Sequence, residues 1–245
     1  MAPVATSLET GELSFGREGV RGYAAWPRGA HPLPGLVLVP DVRGLSEHYR
    51  DVARRFAAEG FFTLAVDLYS REGAPDLPDM AAVFRWMRAL PDRRVLADLA
   101  AAVECLAGRS EVRADAIGIT GFCMGGQYAL MAACTVERLV ACVSWYGMLR
   151  YAETDELKPV SPLDLAPGLV CPYLGLFGAD DAIIPVADVE ALRAILTRAG
   201  KTFELEVYPG AGHAFFNDTR PDAYRPETAA DAWRRALGFL RRHFR

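Results

Sequence analysis

The sequence lacks the features that mark several specialised classes of protein. It has no basic block, and its net charge of −4 comes from acids and bases mixed along the chain, so nothing in it favours a nucleic-acid partner. Its longest apolar runs reach about ten residues, which is too short to cross a bilayer. Its N-terminus has no positive region followed by an apolar core, as a secretory signal would. We therefore expect a cytoplasmic protein without a membrane partner.

Cysteine is also scarce, and its spacing excludes two uses of the residue. The five cysteines form no C-x-x-C pair, and no His/Cys cluster has the spacing of a zinc site. We expect reduced thiols and no metal centre. Four of them lie within apolar segments and are expected to be structural: Cys105, Cys134, Cys142 and Cys171.

Short apolar runs alternate with amphipathic segments along all 245 residues, and this predicts the fold class. Continuous runs rich in Val, Ile, Leu and Phe are typical of strands covered on both faces. Such runs lie at 35–40, 61–67, 116–122, 139–147, 172–178 and 203–210. Helical patterns lie between or after them at 47–60, 92–107, 124–134, 186–199 and 228–243. We expect one α/β domain over 1–245, with a mostly parallel central sheet and helices on both faces.

Three further segments depart from this alternation. Residues 17–19 separate two strand-like runs and predict an N-terminal β-hairpin. Residues 68–80 and 148–168 are too irregular for plain crossovers. Long irregular loops in a compact α/β domain often shape a substrate pocket, so we expect these two to do so.

The segment GFCMGGQ, at 121–127, follows a predicted strand and opens a predicted helix. Glycine two residues before and two residues after a nucleophile is the pattern of a nucleophile elbow, whose turn leaves no room for side chains at those positions. The N-terminus of the following helix favours a thiolate and an oxyanion beside Cys123. A buried structural cysteine beside a tight turn would explain the same residues, so the partners decide.

A thiol nucleophile needs a base and an acid that orients it. Of the four histidines, His31 lies in a polar loop and His243 ends a helix. His48 could border the pocket but is expected at the surface. His213 alone follows a strand in a Gly-rich loop. The acid is expected after the strand at 172–178, where Gly178, Asp181 and Pro185 match the spacing G-x-x-D-x-x-x-P. This favours Asp181 over its neighbour Asp180, and the order nucleophile, acid, histidine is that of an α/β-hydrolase.

With these residues in place, the sequence resembles the dienelactone hydrolase (carboxymethylenebutenolidase) family of α/β-hydrolases over nearly its whole length. The resemblance rests on VPDVRGL, VDLYSR, GFCMGG, LFGADDAIIP and YPGAGHAFFNDTRP. It implies the α/β-hydrolase fold and a triad of Cys123, Asp181 and His213. It also implies an oxyanion hole made by the backbone N–H groups of Met124 and Val42.

Two positions depart from the family pattern. Characterised members carry a glutamate at the position of Asp41, where it keeps the resting thiol protonated; Asp41 either takes this role or only caps its loop. Four residues past the histidine, lactone-cleaving members carry an arginine for the substrate carboxylate, and this chain has Asn217. We therefore expect acidic dienelactones to be poorer substrates than neutral esters, unless Arg43 or an arginine between 71 and 94 supplies the charge.

The residues and the resemblance together predict a cofactor-free hydrolase of small esters or lactones that works through a thioester. A general carboxylesterase or thioesterase without lactone preference is one alternative. A hydrolase-fold protein that only binds its ligand is another, and reversible oxidation of Cys123 is a third, although no resolving cysteine lies nearby in sequence. The sequence makes no prediction of oligomeric state.

Overall fold

An eight-stranded sheet runs through the centre of the molecule in the computed structural model, which describes residues 7–29 and 32–244. The sheet order is β1-β2-β4-β3-β5-β6-β7-β8, and β3 to β8 are parallel. The strands are β1 Leu8–Phe15, β2 Val20–Pro27, β3 Leu33–Val39, β4 Phe62–Val66, β5 Val112–Phe122, β6 Leu139–Trp145, β7 Tyr173–Gly178 and β8 Phe203–Tyr208. The mostly parallel sheet is as the sequence predicted, whereas His31 lies outside the described residues.

The N-terminal hairpin forms the antiparallel edge of this sheet. Strands β1 and β2 pair antiparallel, and β2 then pairs antiparallel with β4. The turn between them includes Gly19 at a φ of +64°, a left-handed conformation that favours glycine. The predicted hairpin is confirmed, and it extends the sheet beyond its parallel part.

Seven α-helices occur within the described residues, and five of them match the predicted segments. They are α1 Glu47–Ala58, α2 Met80–Ala89, α3 Asp92–Ala107, α4 Met124–Ala133, α5 Pro162–Leu165, α6 Val186–Arg198 and α7 Pro226–His243. Helix α1 buries Tyr49, Val52, Ala53 and Phe56, the face expected from their spacing. A 3-10 turn at Ala166–Gly168 follows the short α5 in the stretch expected to be irregular.

Helix α2 has no counterpart among the predicted elements. Asp79 caps its start by accepting a hydrogen bond from the backbone N–H of Ala82 at 2.7 Å. Only Ala82 and Met87 are buried, and Met80 and Phe84 are about half exposed. The helix therefore lies on the surface. No helix in the described part of the chain is long and apolar enough to span a membrane.

The carboxyl ends of the parallel strands determine where the candidate residues meet. Cys123 follows β5, Asp181 lies three residues after β7, and His213 lies five residues after β8. Asp41 and Val42 follow β3 in the same way. Since these strands are parallel, their ends lie along one edge of the sheet, which is where open α/β sheets form their sites.

Candidate active site

The turn from β5 to α4 holds Cys123 in a strained backbone conformation. Its φ is 54° and its ψ is −118°, which a non-glycine residue seldom adopts. A Cβ atom at Gly121 would lie 2.0 Å from the carbonyl oxygen of Gly125, and one at Gly125 would lie 2.1 Å from that of Val39. Both positions therefore require glycine. The backbone N–H of Cys123 donates to Trp145 O at 2.9 Å and ties the turn to β6.

Three predicted side chains form a hydrogen-bonded chain at this turn. His213 Nε2 lies 3.0 Å from Cys123 Sγ, and His213 Nδ1 lies 2.8 Å from Asp181 Oδ2. The other oxygen of Asp181 accepts the backbone N–H groups of Ile183 at 2.8 Å and Ile184 at 3.2 Å. These bonds fix the buried carboxylate, whereas Asp180 points to solvent. The structure thus brings together Cys123, Asp181 and His213.

The surroundings of His213 favour its protonated form. Burial alone would lower its pKa, but the Cys123 sulfur and the Asp181 carboxylate together raise the pKa to about 10. The ring also meets Tyr146 edge to face, with 5.3 Å between ring centroids. A cationic imidazolium held beside the sulfur at neutral pH is therefore the favoured state of this group.

Two backbone N–H groups of residues that line the cavity at Cys123 have no acceptor among the described residues. Val42 follows β3, and Met124 is the first residue of α4, where N–H groups have no partner inside the helix. Within residues 7–29 and 32–244, neither group donates a hydrogen bond. Both residues line the same cavity as Cys123. An oxyanion beside Cys123 would find two donors there, one of them at a helix N-terminus.

Asp41 lies in this cavity wall with partners other than the thiol. Its Oδ1 accepts the backbone N–H of Arg43 at 2.8 Å, and its Oδ2 lies 3.4 Å from the Arg43 guanidinium. Burial, and after it the charge of this carboxylate, raise the pKa of the nearby Tyr49. None of the hydrogen bonds in the described part of the chain joins Asp41 to Cys123. The arrangement is that of a loop-capping aspartate, and a contact with the thiol would need it to turn.

The cavity at Cys123 has a volume of about 140 Å³ and is lined largely by apolar side chains from α2 and the neighbouring loops. Two arginines also line it, Arg43 and Arg220. The Arg220 side chain is a third exposed, and among residues 7–29 and 32–244 its guanidinium pairs only with the exposed Asp222, at 3.4 Å. This guanidinium was not predicted from the sequence. The sequence feature that could have indicated it is its position in FFNDTR, seven residues past His213. The family pattern instead places the arginine four residues past the histidine.

Asn217, the residue at that fourth position, is not among the residues that line the cavity. It is buried, and its side-chain oxygen accepts the N–H of Thr219 at 3.0 Å and its hydroxyl at 2.6 Å. It holds the loop that presents Arg220. The arginines between 71 and 94 line no part of this cavity either, and several are paired elsewhere, such as Arg71 with Asp98.

A second histidine is buried, against expectation. His48 is 8% exposed, although its position early in a helix suggested the surface. Its Nδ1 lies 3.3 Å from Asp218 Oδ1 without forming a hydrogen bond. Burial lowers its pKa, and the pull of Asp218 does not compensate. The loop after His213 covers this histidine, and that contact lies too far along the chain for a local pattern to indicate it.

The parallel sheet, the strained turn and the residues at the strand ends define an α/β-hydrolase. The model of the dienelactone hydrolase family matches residues 20–244. The chain belongs to this family, as its motifs indicated, and the family is one of hydrolases that act on lactones and esters. Within the described residues, no group of three or more His, Cys, Asp or Glu side chains is placed to hold a metal ion.

Three similar proteins illustrate the relationship. A Methylorubrum extorquens protein named "Putative carboxymethylenebutenolidase" is 37% identical over 99% of this chain and 84% of its own. A Bradyrhizobium protein named "Probable 2-oxo-3-(5-oxofuran-2-ylidene)propanoate lactonase" is 37% identical over 99% of this chain and 97% of its own. The crystal structure of a "Putative Dienelactone Hydrolase" from Klebsiella pneumoniae has a TM-score of 0.91 at 39% identity, covering 96% of this chain and 99% of its own.

Proposed function

We propose that this protein hydrolyses small esters or lactones through a thioester formed on Cys123. The observation that carries the proposal is the continuous hydrogen-bonded chain from the sulfur through His213 to the buried Asp181, at 3.0 Å and 2.8 Å. A nucleophile, a base and an orienting acid in this geometry are what covalent acyl transfer requires. The cytoplasm, where thiols stay reduced, suits such a nucleophile.

The first half-reaction makes the thioester. The Cys123 thiolate attacks the carbonyl carbon, a C–S bond forms, and the oxyanion accepts hydrogen bonds from the N–H groups of Met124 and Val42. Each such donor contributes about a hundredfold or more to the rate. The tetrahedral intermediate then breaks its C–O bond, and the leaving alkoxide takes the proton of His213 Nε2. A neutral imidazole and an acylated cysteine remain.

The second half-reaction restores the enzyme. Neutral His213 takes a proton from water as the water oxygen attacks the thioester carbon, and Asp181 keeps the imidazole in the required tautomer. The new intermediate expels the Cys123 thiolate and releases the acid. The thiolate and the imidazolium then stand side by side again, in agreement with the raised pKa of His213.

The charge of the cavity favours acidic substrates, contrary to the sequence-based expectation. That expectation assumed that no cation replaces the arginine missing at Asn217. Arg220 and Arg43 both line the cavity, but Arg43 faces the Asp41 carboxylate there. The weak contact of Arg220 with Asp222 leaves its guanidinium able to pair with a substrate carboxylate. An ester or lactone that carries a carboxylate is therefore the better fit.

One kinetic experiment tests the proposal. With a chromogenic acetate ester, we expect a burst of one chromophore per enzyme followed by steady turnover, both abolished by iodoacetamide. Turnover of acetate esters without any preference for lactones would favour a general carboxylesterase or thioesterase. Absence of both burst and turnover would contradict the proposal and favour a protein that only binds its ligand.

A further inference from the structure

A second cavity, of about 280 Å³, adjoins the catalytic one. The two share four wall residues, Phe84, Met87, Met124 and Met148, so only side chains separate them. Neither Cys123 nor His213 lines the second cavity. The second cavity therefore extends the site beyond the reacting atoms, along α4 and toward the loop that follows β6.

Buried polar groups form one side of the second cavity. Asp92 accepts Lys158 Nζ at 2.7 Å and the Tyr128 hydroxyl at 3.0 Å on one oxygen, and the Tyr151 hydroxyl at 2.9 Å on the other. Asp92 and Lys158 are both buried, and their charges cancel. The buried side of the cavity therefore offers no net charge to an ionic group, whose burial would be costly. The other charged residues of its lining, Arg88 and Glu153, are exposed and opposite in sign.

Proton counting fixes the orientation of Gln127, which also lines this cavity. Tyr151 has one O–H, and it donates to the Asp92 carboxylate in preference to the Met131 thioether at 3.7 Å. Its oxygen must then accept, so Gln127 Nε2 faces it at 2.6 Å. The opposite atom, Oε1, is buried without any hydrogen-bond partner, and the residue is 1% exposed. A buried acceptor of this kind calls for a donor.

Building on the function proposed above, we propose that the second cavity holds the acyl arm of the substrate and that Gln127 Oε1 accepts a hydrogen bond from a neutral hydroxyl on that arm. The leaving oxygen must lie beside His213 to take its proton, and His213 lines only the first cavity. The acyl arm is the part that remains to fill the second. Its shared apolar walls suit a hydrocarbon chain, and among its buried polar side chains in the described residues Gln127 Oε1 is the atom left without a partner.

The position of Gln127 sets the length of that arm. It lies four residues after Cys123 on α4, a rise of about 6 Å along a helix. A hydroxyl on an acyl chain of about five or six carbons covers a span of this size. The preference for a hydroxyl-bearing ester should therefore depend on the length of the acyl chain and should be strongest at one length.

The test compares esters that differ only at the end of the acyl chain. The pair is methyl 6-hydroxyhexanoate and methyl heptanoate, in which a methyl group replaces the hydroxyl, with shorter and longer pairs alongside. We expect the hydroxyl to raise kcat/KM about three- to tenfold at the optimum length, the size of one hydrogen bond. In Gln127→Met, which has no amide oxygen, this ratio should fall to one or below.

A second variant covers the case in which Gln127→Met fails to fold. Ala152 is exposed and lines the second cavity, so Ala152→Phe would place a bulky ring at that cavity while keeping Gln127. It should lower kcat/KM for both long esters by a similar factor and keep their ratio. Equal kcat/KM for both wild-type esters, or no effect of Ala152→Phe, would overturn the inference.

Other outcomes separate this inference from the function on which it rests. If the wild-type protein turns over chromogenic acetate but shows no hydroxyl preference at any chain length, the second cavity plays no such role and the hydrolase remains. If no ester is turned over, the proposed function itself fails. A preference for methyl 6-aminohexanoate, whose ammonium is charged, would overturn the assignment to a neutral donor.

Discussion

Two histidines in the described part of the chain, one buried and one mostly buried, face aspartates, and their surroundings differ. His213 lies 2.8 Å from Asp181 and hydrogen bonds on both ring nitrogens, whereas His48 lies 3.3 Å from Asp218 and bonds on neither. Burial lowers the pKa of each, but only His213 has the Cys123 sulfur on its other side, and its pKa rises to about 10. A histidine and an aspartate in proximity do not make a reactive pair; the third partner does.

The arginines beside the two pairs differ in the same way. Arg55 binds Asp218 at 2.6 Å and neutralises it, so that carboxylate is already engaged. Within the described residues, Arg220 has only an exposed partner, at 3.4 Å, and it lines the cavity at Cys123. One region satisfies its charges internally, and the other leaves a cation available for a ligand.

The largest effect should come from removing the third partner. Cys123→Ala should eliminate ester hydrolysis, on the order of a millionfold loss by analogy with loss of a serine nucleophile. Steady-state kinetics with a chromogenic acetate measures this. Cys134→Ala, which alters a cysteine outside the cavity, is the matched control and should retain activity. A Cys123→Ala protein with most of its activity would contradict the triad.

Replacing the aspartates should give the next largest effect and should distinguish the His213–Asp181 pair from the His48–Asp218 pair. Asp181→Asn should lower kcat about ten-thousandfold, because the amide favours the wrong imidazole tautomer. Asp180→Asn, at the exposed neighbour, and Asp218→Asn, beside His48, should do far less. Comparable losses in all three would remove the distinction between the pairs, and a larger loss at Asp180 would mean that the acid is misassigned.

Arg220, the arginine free to bind a ligand, should determine whether the enzyme prefers acidic or neutral substrates. Arg220→Gln should lower kcat/KM for an acidic dienelactone about ten- to a hundredfold, the size of one charged hydrogen bond. Its effect on the methyl ester of the same compound should be small. Measuring both substrates with both proteins decides this, and equal losses on acid and ester would refute charge recognition by Arg220.

The pKa values of the two histidines should lie on opposite sides of the ordinary value of about 6.5. In NMR spectra of protein with ¹⁵N-labelled histidine, His213 should titrate near pH 10 and His48 below 6.5. In Cys123→Ala, His213 should titrate at lower pH, since the sulfur is the largest of the influences that raise it. An unchanged pKa of His213 in Cys123→Ala would disprove the coupling between the sulfur and the imidazole.

The smallest effect concerns stability. A raised pKa means that His213 binds its proton more tightly when folded, so its contribution is complete below pH 6.5 and is lost as the pH rises toward 10. His48 has a lowered pKa, so its contribution is complete above 6.5 and is lost as the pH falls. Urea unfolding of His48→Gln should therefore show less loss of stability on acidification than the wild-type protein shows. An identical loss in both would contradict this assignment.

The sequence predicted the sheet and the candidate triad because both depend on local patterns. Continuous apolar runs marked the strands, and short spacings around Cys123 and Asp181 marked the turns that follow them. The burial of His48 and the reach of Arg220 depend on how the loop at 214–225 folds back, which no local pattern encodes. Helix α2 was missed although its apolar residues recur at helical spacing; it begins where the irregular stretch at 68–80 ends. The single-domain assignment stays a prediction.

The backbone contacts at Gly121 and Gly125 have a consequence for how such a sequence diverges. A codon change that gives either position a side chain brings it within about 2 Å of a carbonyl oxygen, so the turn cannot form unchanged. A codon change at position 123 alters the reacting atom and leaves the turn intact. Descendants can therefore exchange the nucleophile while inheriting both glycines. A search for distant relatives should accordingly weigh the glycine spacing above the identity of the residue between them.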